Sequence, residues 1–422
     1  MAVADYSELK GRKVSDVLLE PLSLNKYAPI IGEEKVVEIK ELAERVAGKR
    51  VCHVNSTSFG GGVAEILHRL IPLMQDVGLN VDWILMKGSD EFFNVTKSFH
   101  NGLQGLKIPF TGEMEKTYLE YNEANAHRLD LHHDFVLIHD PQPAAVISYQ
   151  KNRSGKWIWR CHIDLSNPNP EYINFLTPIL HQYDSLIFTM DQYVPEPLKS
   201  REVAIIPPSI DPLSDKNKNI PQEEIASILK RFDVDPEKPI VTQVSRFDPW
   251  KDPLGVIDAY RLVKREVPDL QLLLIACMAK DDPEGWTYYE KTARHAGEDS
   301  DIHLLTDLNC VADIEVNAFQ RASNVILQKS TREGFGLSVA EALWKEVPVV
   351  GGNVGGIPMQ VLDGVNGFLV NNVEEAAEKT LYLLQHPNEA KKMGAKGKEH
   401  ILKNFLITRH LQDYLKLFGS LS

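Results

Sequence analysis

The stretch from residue 325 to residue 352, VILQKSTREGFGLSVAEALWKEVPVVGG, decides the fold of its part of the chain. An apolar run, a glycine-containing loop, a helical pattern and a second apolar run follow one another without interruption. Continuous apolar runs are typical of strands that are buried on both faces of a parallel sheet. The stretch therefore predicts a β-α-β unit whose loop lies at the carboxyl end of a strand, where doubly wound sheets bind their ligands.

The loop of this stretch carries the carboxylate of Glu333, and the helical pattern carries that of Glu341 eight residues later. On a continuous helix that spacing is about 12 Å along the axis, and the loop relaxes it only partly. A glycosidase acid and base must lie within roughly 5–10 Å of each other. The spacing favours contacts with two hydroxyl-bearing parts of one extended ligand. A solvated helix face remains the alternative for Glu341.

Similar runs continue along the chain from about residue 50, with helical patterns between them. Two successive βα arrays predict an α/β protein with two doubly wound, Rossmann-like domains, residues 1–212 and 213–422. The proline- and asparagine-rich stretch 206–224 predicts the link between them. Residues 1–48 form an extension before the first strand, and the last helix is a candidate to cross back to the first domain.

The composition limits the classes of function. Of 422 residues 43% are hydrophobic and 25% charged, as in globular proteins, and the net charge of −13 disfavours a nucleic-acid partner. Four scattered cysteines without CxxC spacing predict neither zinc nor disulfides, so we expect a reducing compartment. The first ten residues lack a signal-peptide pattern, and the longest apolar run, 272–279, is too short for a membrane helix. These features predict a cytoplasmic protein without a membrane partner.

A glycine loop, NSTSFGGGVAEIL, follows the first predicted strand and precedes a helix. Gly60, Gly61 and Gly62 allow close backbone approach, and the helix start directs unpaired N–H groups toward the loop. The loop is therefore a candidate cradle for an anion or a sugar. A tight turn that needs glycine only for its geometry is the alternative. The spacing is not GxGxxG, which disfavours a dinucleotide dehydrogenase.

Two cations, Arg246 and Lys251, follow the first strand of the second half in VSRFDPWKDP. A guanidinium and an ammonium at the carboxyl end of such a strand suit a diphosphate, one as a fork and the other as a point charge. Solvated loop charges are the alternative.

Two polar loops end strands of the first half. HDPQP places His139, Asp140 and Gln142 beyond one strand, and RCHID places His162 and Asp164 beyond the next. An open parallel sheet presents its functional groups at this edge. A structural histidine is the alternative for each. The tryptophans on the strand-like runs are predicted to be core.

Together these stretches resemble the retaining glycosyltransferases of the GT-B fold, the family that includes sucrose and bacterial glycogen-type synthases. The most specific element is the E-x7-E pattern from Glu333 to Glu341, supported by GGNVGGIP and VLDGVNGFLV. HDPQP and RCHID are similar to the trehalose-forming branch, as is the Asp252-Pro253 that follows Lys251 where most members have glycine. The resemblance implies two Rossmann-like domains that face each other across a cleft, with the donor between them.

The resemblance also implies residue roles. The implied activity joins a nucleoside-diphosphate glucose, such as ADP- or UDP-glucose, to free glucose with retention of configuration. Catalytic roles fall to His162, Arg246, Lys251 and Glu333, with Glu341 on the ribose. The donor site also includes Gly61, Gly62, Gly334, Phe335, Gly336 and Leu337. The acceptor site includes His139, Asp140, Gln142, His162 and Asp164.

The implied chemistry needs no cofactor, and no protein-bound metal is predicted, although a divalent cation is compatible with it. The expected partners are the nucleotide-sugar and glucose or trehalose, and the family suggests a homodimer. Three alternatives stay open: a trehalose phosphorylase, a synthase with another sugar acceptor, and a nucleotide-sugar sensor. The sequence identifies neither the base of the donor nor the preferred direction.

Overall fold

The chain folds into two α/β units, seen in a computed structural model that describes residues 17–59, 61–278 and 283–422. The first unit runs to Ile205 and includes Tyr414–Ser422, and the second is Ile206–Asp413. The predicted link, 206–224, thus begins where the first unit ends. The N-terminal part of the extension and Gly60 lie outside the described residues. None of the helices in the described ranges is long and apolar enough to cross a membrane.

The first unit is built on a parallel sheet with the strand order β2-β1-β3-β4-β5-β6. Its described strands are β1 Arg50–Asn55, β2 Asn80–Leu85, β3 Phe135–His139, β4 Lys156–Arg160, β5 Ser185–Phe188 and β6 Val203–Ile205. The order of connection reverses between β1 and β3. The tryptophans predicted as core, Trp83, Trp157 and Trp159, are buried here.

Helices cover this sheet. They are α1 Ala28–Ile31, α2 Glu33–Glu44, α3 Gly62–Asp76, α4 Asp90–Leu103, α5 Gly112–Arg128, α6 Val146–Tyr149 and α7 Pro170–Leu180, with 3₁₀ turns at Leu24–Tyr27, Asp191–Tyr193 and Glu196–Leu198. Local sequence fixes several starts, because Ser89, Thr111 and Asn169 each accept a backbone N–H of the helix that they precede.

The second unit has a second parallel sheet, in the order β12-β11-β10-β7-β8-β9. Its described strands are β7 Ile240–Val244, β8 Gln271–Ala276, β9 Ile302–Thr306, β10 Val325–Gln328, β11 Val349–Gly352 and β12 Gly367–Val370. The order matches the Rossmann arrangement, with its reversal between β7 and β10. Strands β9 and β12 were not among the predicted strands.

The helices of the second unit are α8 Gln222–Arg231, α9 Pro253–Lys264, α10 Pro283–Ala296, α11 Asp313–Ala322, α12 Leu337–Trp344, α13 Ile357–Gln360, α14 Val373–Gln385, α15 Pro387–Asn404 and α16 Ile407–Leu421, with 3₁₀ turns at Pro249–Lys251 and Asp307–Asn309. Helix α9 starts as its sequence predicts, because the Asp252 side chain accepts the N–H of Gly255 at 3.1 Å. Helix α16 belongs to the second unit up to Asp413 and to the first unit from Tyr414.

Candidate active site

The switch point of the second sheet lies between β7 and β10, which are parallel neighbours. The loops that follow these strands therefore leave the sheet at the same edge. The loop after β7 carries Arg246 and Lys251, and the loop after β10 carries Glu333. A backbone bond joins the two loops, since the N–H of Thr331 donates to the carbonyl of Trp250 at 2.7 Å. The predicted cations and the predicted sugar carboxylate are thus neighbours.

Lys251 and Glu333 form an ion pair in which Nζ lies 2.6 Å from Oε2. Both side chains are largely buried, with 17% of Lys251 and 10% of Glu333 exposed. The Ser330 hydroxyl donates to the same carboxylate oxygen at 3.2 Å. The two opposite charges hold each other in position at the strand ends, and a ligand that reaches one of them also reaches the other.

Arg246 is placed differently from Lys251. Its Nη2 lies 3.4 Å from Asp248 Oδ2, and 58% of its side chain is exposed. Asp248 itself starts the short 3₁₀ turn by accepting the N–H of Trp250 at 2.7 Å. An exposed guanidinium is accessible to an anionic ligand, and its fork geometry suits a phosphate.

Glu341 is buried in helix α12, so the alternative of a solvated helix face is wrong. Its side chain is only 3% exposed, and its Oε1 lies 3.8 Å from the ammonium nitrogen of Lys216. Lys216 also lies 3.7 Å from Asp313 Oδ1, and its side chain is 19% exposed. Buried carboxylates need charged or hydrogen-bonding partners. Lys216 lies in the polar stretch 206–224, which the sequence predicts only as the link between the two domains.

Backbone conformation shapes the loop between these two carboxylates. Gly336 caps helix α12 with φ of 85°, a left-handed conformation that favours glycine. The loop lies directly against the GGNVGG stretch, because a Cβ on Gly356 would come within 2.6 Å of Phe335 Cα. Gly334, Gly336 and Leu337 keep partial exposure.

The side chain of Phe335 is not available for the predicted donor contact. It is 5% exposed, and its ring centroid lies 5.4 Å from that of Phe405. Its carbonyl accepts a hydrogen bond from Gln360 Nε2. The ring is therefore part of the core of the second unit, and only the backbone of Phe335 remains for a ligand.

The switch point of the first sheet lies between β1 and β3. After β1 comes the glycine loop, in which Gly61 caps helix α3 with φ of 96° and Gly62 is the first helical residue. Apart from its chain neighbours, no heavy atom of the described residues lies within 4 Å of a Cβ built on Gly61. The loop is braced by Asn55, whose Nδ2 donates to the Thr57 carbonyl at 2.6 Å. The described residues therefore leave room beside Gly61.

Three histidines form a row at this edge of the first sheet. His53 Nδ1 lies 2.9 Å from His139 Nε2, and His139 Nδ1 lies 2.9 Å from His162 Nε2. The successive rings are stacked, with centroids 5.2 Å apart in each pair. The predicted sugar contact of His139 stays a prediction, and the arrangement of the row leaves this residue little access to a sugar. The residue is 1% exposed and both of its ring nitrogens already contact imidazoles.

Asp140 connects this row to the next loop. It has φ of 63°, and its Oδ1 accepts the backbone N–H of His162 at 2.8 Å. Burial of the carboxyl raises the pKa of Asp140 to about 7.

Arg160, which the sequence patterns did not single out, ends β4 beside His139 and is fully buried. An arginine within an otherwise apolar strand was the signal that could have found it.

Gln142 and Asp164 follow the same two strands without joining the row. The carbonyl of Gln142 accepts a hydrogen bond from Asn122 Nδ2 at 3.1 Å. Asp164 Oδ1 accepts the N–H of Ser166 at 2.8 Å, which closes a turn of its own loop. Both residues are partly exposed. Within residues 17–59, 61–278 and 283–422, no three His, Cys, Asp or Glu side chains are grouped to hold a metal ion.

Comparison with known proteins identifies the family of this fold and site. Residues 53–195 match the family described as "Trehalose synthase, N-terminal domain", and residues 224–400 match "Glycosyl transferases group 1". A "Trehalose synthase" from Thermococcus litoralis is 58% identical over 94% of this chain and 97% of that protein. The chain belongs to the trehalose synthase family.

One further relative supports this membership, and one solved structure shows the fold. A "Trehalose synthase" from Rubrobacter xylanophilus is 50% identical over 94% of this chain and 97% of that protein. The structure described as "Trehalose-6-phosphate from E. coli bound with UDP-2-fluoro glucose" has the same fold, with a TM-score of 0.70 over 88% of this chain and 99% of that chain, at 15% identity. The predicted GT-B fold is confirmed, and this member of the trehalose synthase family is a glycosyltransferase.

Proposed function

We propose that the protein is a retaining hexosyltransferase that makes trehalose from a nucleoside-diphosphate glucose and free glucose. The observation that carries the proposal is the Lys251–Glu333 pair at the switch point of the second sheet. A cation for a leaving diphosphate and a carboxylate for sugar hydroxyls lie side by side, as a nucleotide-sugar requires. The names of the relatives support trehalose as the product.

In this proposal the second unit holds the donor. Lys251 and Arg246 neutralise the diphosphate as it leaves, because negative charge develops there in the transition state. Glu333 accepts hydrogen bonds from hydroxyls of the transferred glucose. Glu341 accepts them from the ribose, with Lys216 beside it to balance its charge. Backbone groups of Gly334, Gly336 and Leu337 complete the contacts with the donor.

The first unit holds the sugars at its own switch point. Gly61 and Gly62 bring backbone N–H groups to the distal phosphate. His162 lies near the reacting carbon, and Asp140, Gln142 and Asp164 serve the acceptor. His139 acts behind His162 rather than on the sugar, because it is buried between two imidazoles.

The proposed reaction preserves the anomeric configuration. The acceptor hydroxyl attacks the anomeric carbon from the face that the diphosphate leaves. The carbon–oxygen bond to the phosphate breaks, the new glycosidic bond forms, and a leaving phosphate oxygen takes the acceptor proton. No carboxylate nucleophile is needed, and the two cations supply the electrostatic stabilisation that the leaving group requires.

Product analysis tests the proposal. The purified protein is incubated with glucose and with ADP-glucose, UDP-glucose or GDP-glucose in separate reactions, and the sugars are resolved by NMR. An α,α-1,1-linked disaccharide supports the proposal and identifies the donor base. Glucose 1-phosphate released from trehalose and phosphate, with no synthesis from any donor, replaces it with a phosphorylase. Binding of a donor without transfer to any sugar replaces it with a sensor.

A further inference from the structure

The histidine row of the first unit, formed by His53, His139 and His162, extends from the core to the edge of the sheet. Strand register places His139 directly beside Arg160. On β1, His53 is paired with Leu137, two residues before His139, so His53 faces the same side of the sheet as His139. His53 and His139 are buried, whereas His162 is partly exposed. The row therefore links a buried imidazole to one that can meet a substrate.

Protons in this row are coupled. Each of the two 2.9 Å contacts joins two ring nitrogens, and one must carry a proton while the other offers a lone pair. Burial lowers the pKa of His53 to about 3. Burial, and after it the neighbouring imidazoles and the guanidinium of Arg160, lowers the pKa of His139 well below its usual value. The buried rings are neutral, and with a neutral His162 only two proton arrangements satisfy both contacts.

In the first arrangement His53 donates from Nδ1 and His139 donates from Nδ1, which leaves His162 with its proton on Nδ1. In the second arrangement every bond is reversed, and His162 carries its proton on Nε2. The two arrangements present opposite groups at His162 Nδ1, an N–H donor in the first and a lone pair in the second. The N–H can donate a hydrogen bond to a sugar oxygen, whereas the lone pair can only accept one from a sugar hydroxyl.

The buried end of the row favours the first arrangement. Among the described residues, His53 Nε2 is buried without a hydrogen-bond partner. The first arrangement leaves a lone pair there, and the second leaves an N–H, which is the costlier group to bury unpaired.

We propose that His53 is a positioning residue that fixes the tautomer of His162 through His139. His53 donates from Nδ1, and His162 therefore carries its proton on Nδ1. In the transferase reaction His162 then offers an N–H to a sugar oxygen and does not act as a base from that atom. The link to the reaction rests on the proposed function, whereas the tautomer of His162 does not.

Nitrogen NMR of the full-length protein labelled with ¹⁵N-histidine tests the tautomer without any substrate. Spectra of His53→Asn and His162→Gln assign the signals by comparison with wild type. We expect a protonated Nδ1 and an unprotonated Nε2 for His162. A protonated Nε2 at His162 in the wild-type protein overturns the proposal.

Two substitutions at His53 test its control of the row. Asparagine places an amide donor close to the position of Nδ1, so His53→Asn should keep the wild-type tautomer of His162. Aspartate can only accept when ionised, so His53→Asp should reverse the row and move the proton of His162 to Nε2. An unchanged His162 in a folded His53→Asp protein contradicts the proposal. If that variant does not fold, the tautomer of His162 in the wild-type and His53→Asn spectra still tests the proposal.

Kinetics distinguish positioning from packing. His53→Leu, which can neither donate nor accept, should lower kcat at least about 10-fold with little change in the KM for donor, and His53→Asn should recover most of the loss. His133 is a matched control, because it is buried in the same unit and bonded to Asp82 Oδ2 at 2.9 Å. An equal fall of kcat in His133→Leu contradicts a specific role for His53. A wild-type protein with no transferase activity contradicts the proposed function, and the spectra still test the row.

Discussion

Lys251 and Glu333, which come from loops after two neighbouring parallel strands, meet with Nζ 2.6 Å from Oε2. Their charges compensate each other in a largely buried position, so neither side chain needs water to balance it. Under the proposed function a donor adds a diphosphate to the cation and hydroxyls to the carboxylate. The pair is then a preformed part of the donor site, which requires little reorganisation on binding.

Replacement of Lys251 by alanine should therefore reduce catalysis severely. The leaving diphosphate loses a cation, and Glu333 loses the ammonium group that lies 2.6 Å from its Oε2. We expect kcat/KM to fall by about 10²–10³-fold in a steady-state transferase assay, the usual loss for one electrostatic group at a developing charge. Lys398→Ala is the matched control, because Lys398 forms a 2.7 Å pair with Glu346 on an exposed surface. A Lys251→Ala enzyme within about threefold of wild type contradicts the assigned role.

Replacement of Glu341 by glutamine should weaken nucleotide binding while keeping the size of the side chain. The loss of a charged acceptor for the ribose should raise the Kd of ADP, UDP or GDP by about 10-fold or more in titration calorimetry. Glu389→Gln, on the exposed surface of helix α15, should leave the Kd unchanged.

A deoxyribose comparison makes the Glu341 test specific. The wild-type protein should bind 3′-deoxy or 2′-deoxy nucleoside diphosphates more weakly than the ribose forms. Glu341→Gln should lose most of that discrimination, because the partner of the missing hydroxyl is already absent. If the variant still discriminates fully between ribose and deoxyribose forms, the proposed contact between Glu341 and the ribose is contradicted.

Replacement of Gly336 by alanine should affect both stability and activity. A side chain at φ of 85° is strained, and its Cβ would lie 3.2 Å from Glu333 Cγ. We expect a loss of about 1–2 kcal/mol in the free energy of unfolding, together with a clear fall in kcat/KM. Gly364 has φ of 70° and no atom within 4 Å of a built Cβ. Gly364→Ala should share the loss of stability, measured by denaturant titration, and keep the activity. Equal kinetics in the two variants would contradict the effect through Glu333.

The buried carboxyl of Asp140 should make stability depend on pH. Its folded-state pKa of about 7 lies above the usual value of 3.8, so the folded protein binds more protons between these values. The free energy of unfolding should fall as pH rises from about 4 to about 7, by at most about 1.4 kcal/mol per pH unit from this group, and level off above. Asp140→Asn removes this titration and tolerates the positive φ.

Calorimetry of wild type and Asp140→Asn at pH 4.5 and pH 7.5 checks this expectation. The Tm of the variant minus that of the wild type should increase as pH rises. Asp134→Asn serves as a control, because a hydrogen bond from the Arg50 N–H lowers the pKa of that exposed carboxyl. The difference in Tm between Asp134→Asn and the wild type should stay constant over the same pH range. If the difference in Tm between Asp140→Asn and the wild type is also constant, the raised pKa of Asp140 is contradicted.

Some features of the fold were predictable because their causes are local. The apolar runs that form β1, β3, β7 and β10 are typical of buried strands, and an aspartate directly before a proline, as in Asp252-Pro253, is typical of a helix start such as that of α9. Strands β9 and β12 were missed for equally local reasons. The first is only partly buried along most of its length, and the second begins with a glycine, so neither has the continuous apolar pattern of the others.

The candidate site was predictable only where a residue type and its place at a strand end sufficed. Arg246, Lys251 and Glu333 were selected in this way, and parallel pairing brings their loops to one edge. The same reason predicts an acceptor contact for His139, whereas the structure places this residue between two other imidazoles. Its partner His53 lies 86 positions away in the chain, and nothing near either residue indicates the other.

The sequence by itself determined the two βα arrays, the strand-end loops and the identity of the charged residues on them. These properties depend on hydrophobic period, on glycine and proline positions and on side-chain chemistry, all of which are local. Only the tertiary structure decided that Lys251 meets Glu333, that Glu341 is buried beside Lys216, and that three histidines share two hydrogen bonds. Burial and partner choice arise from strand order, which joins residues that are far apart in the chain.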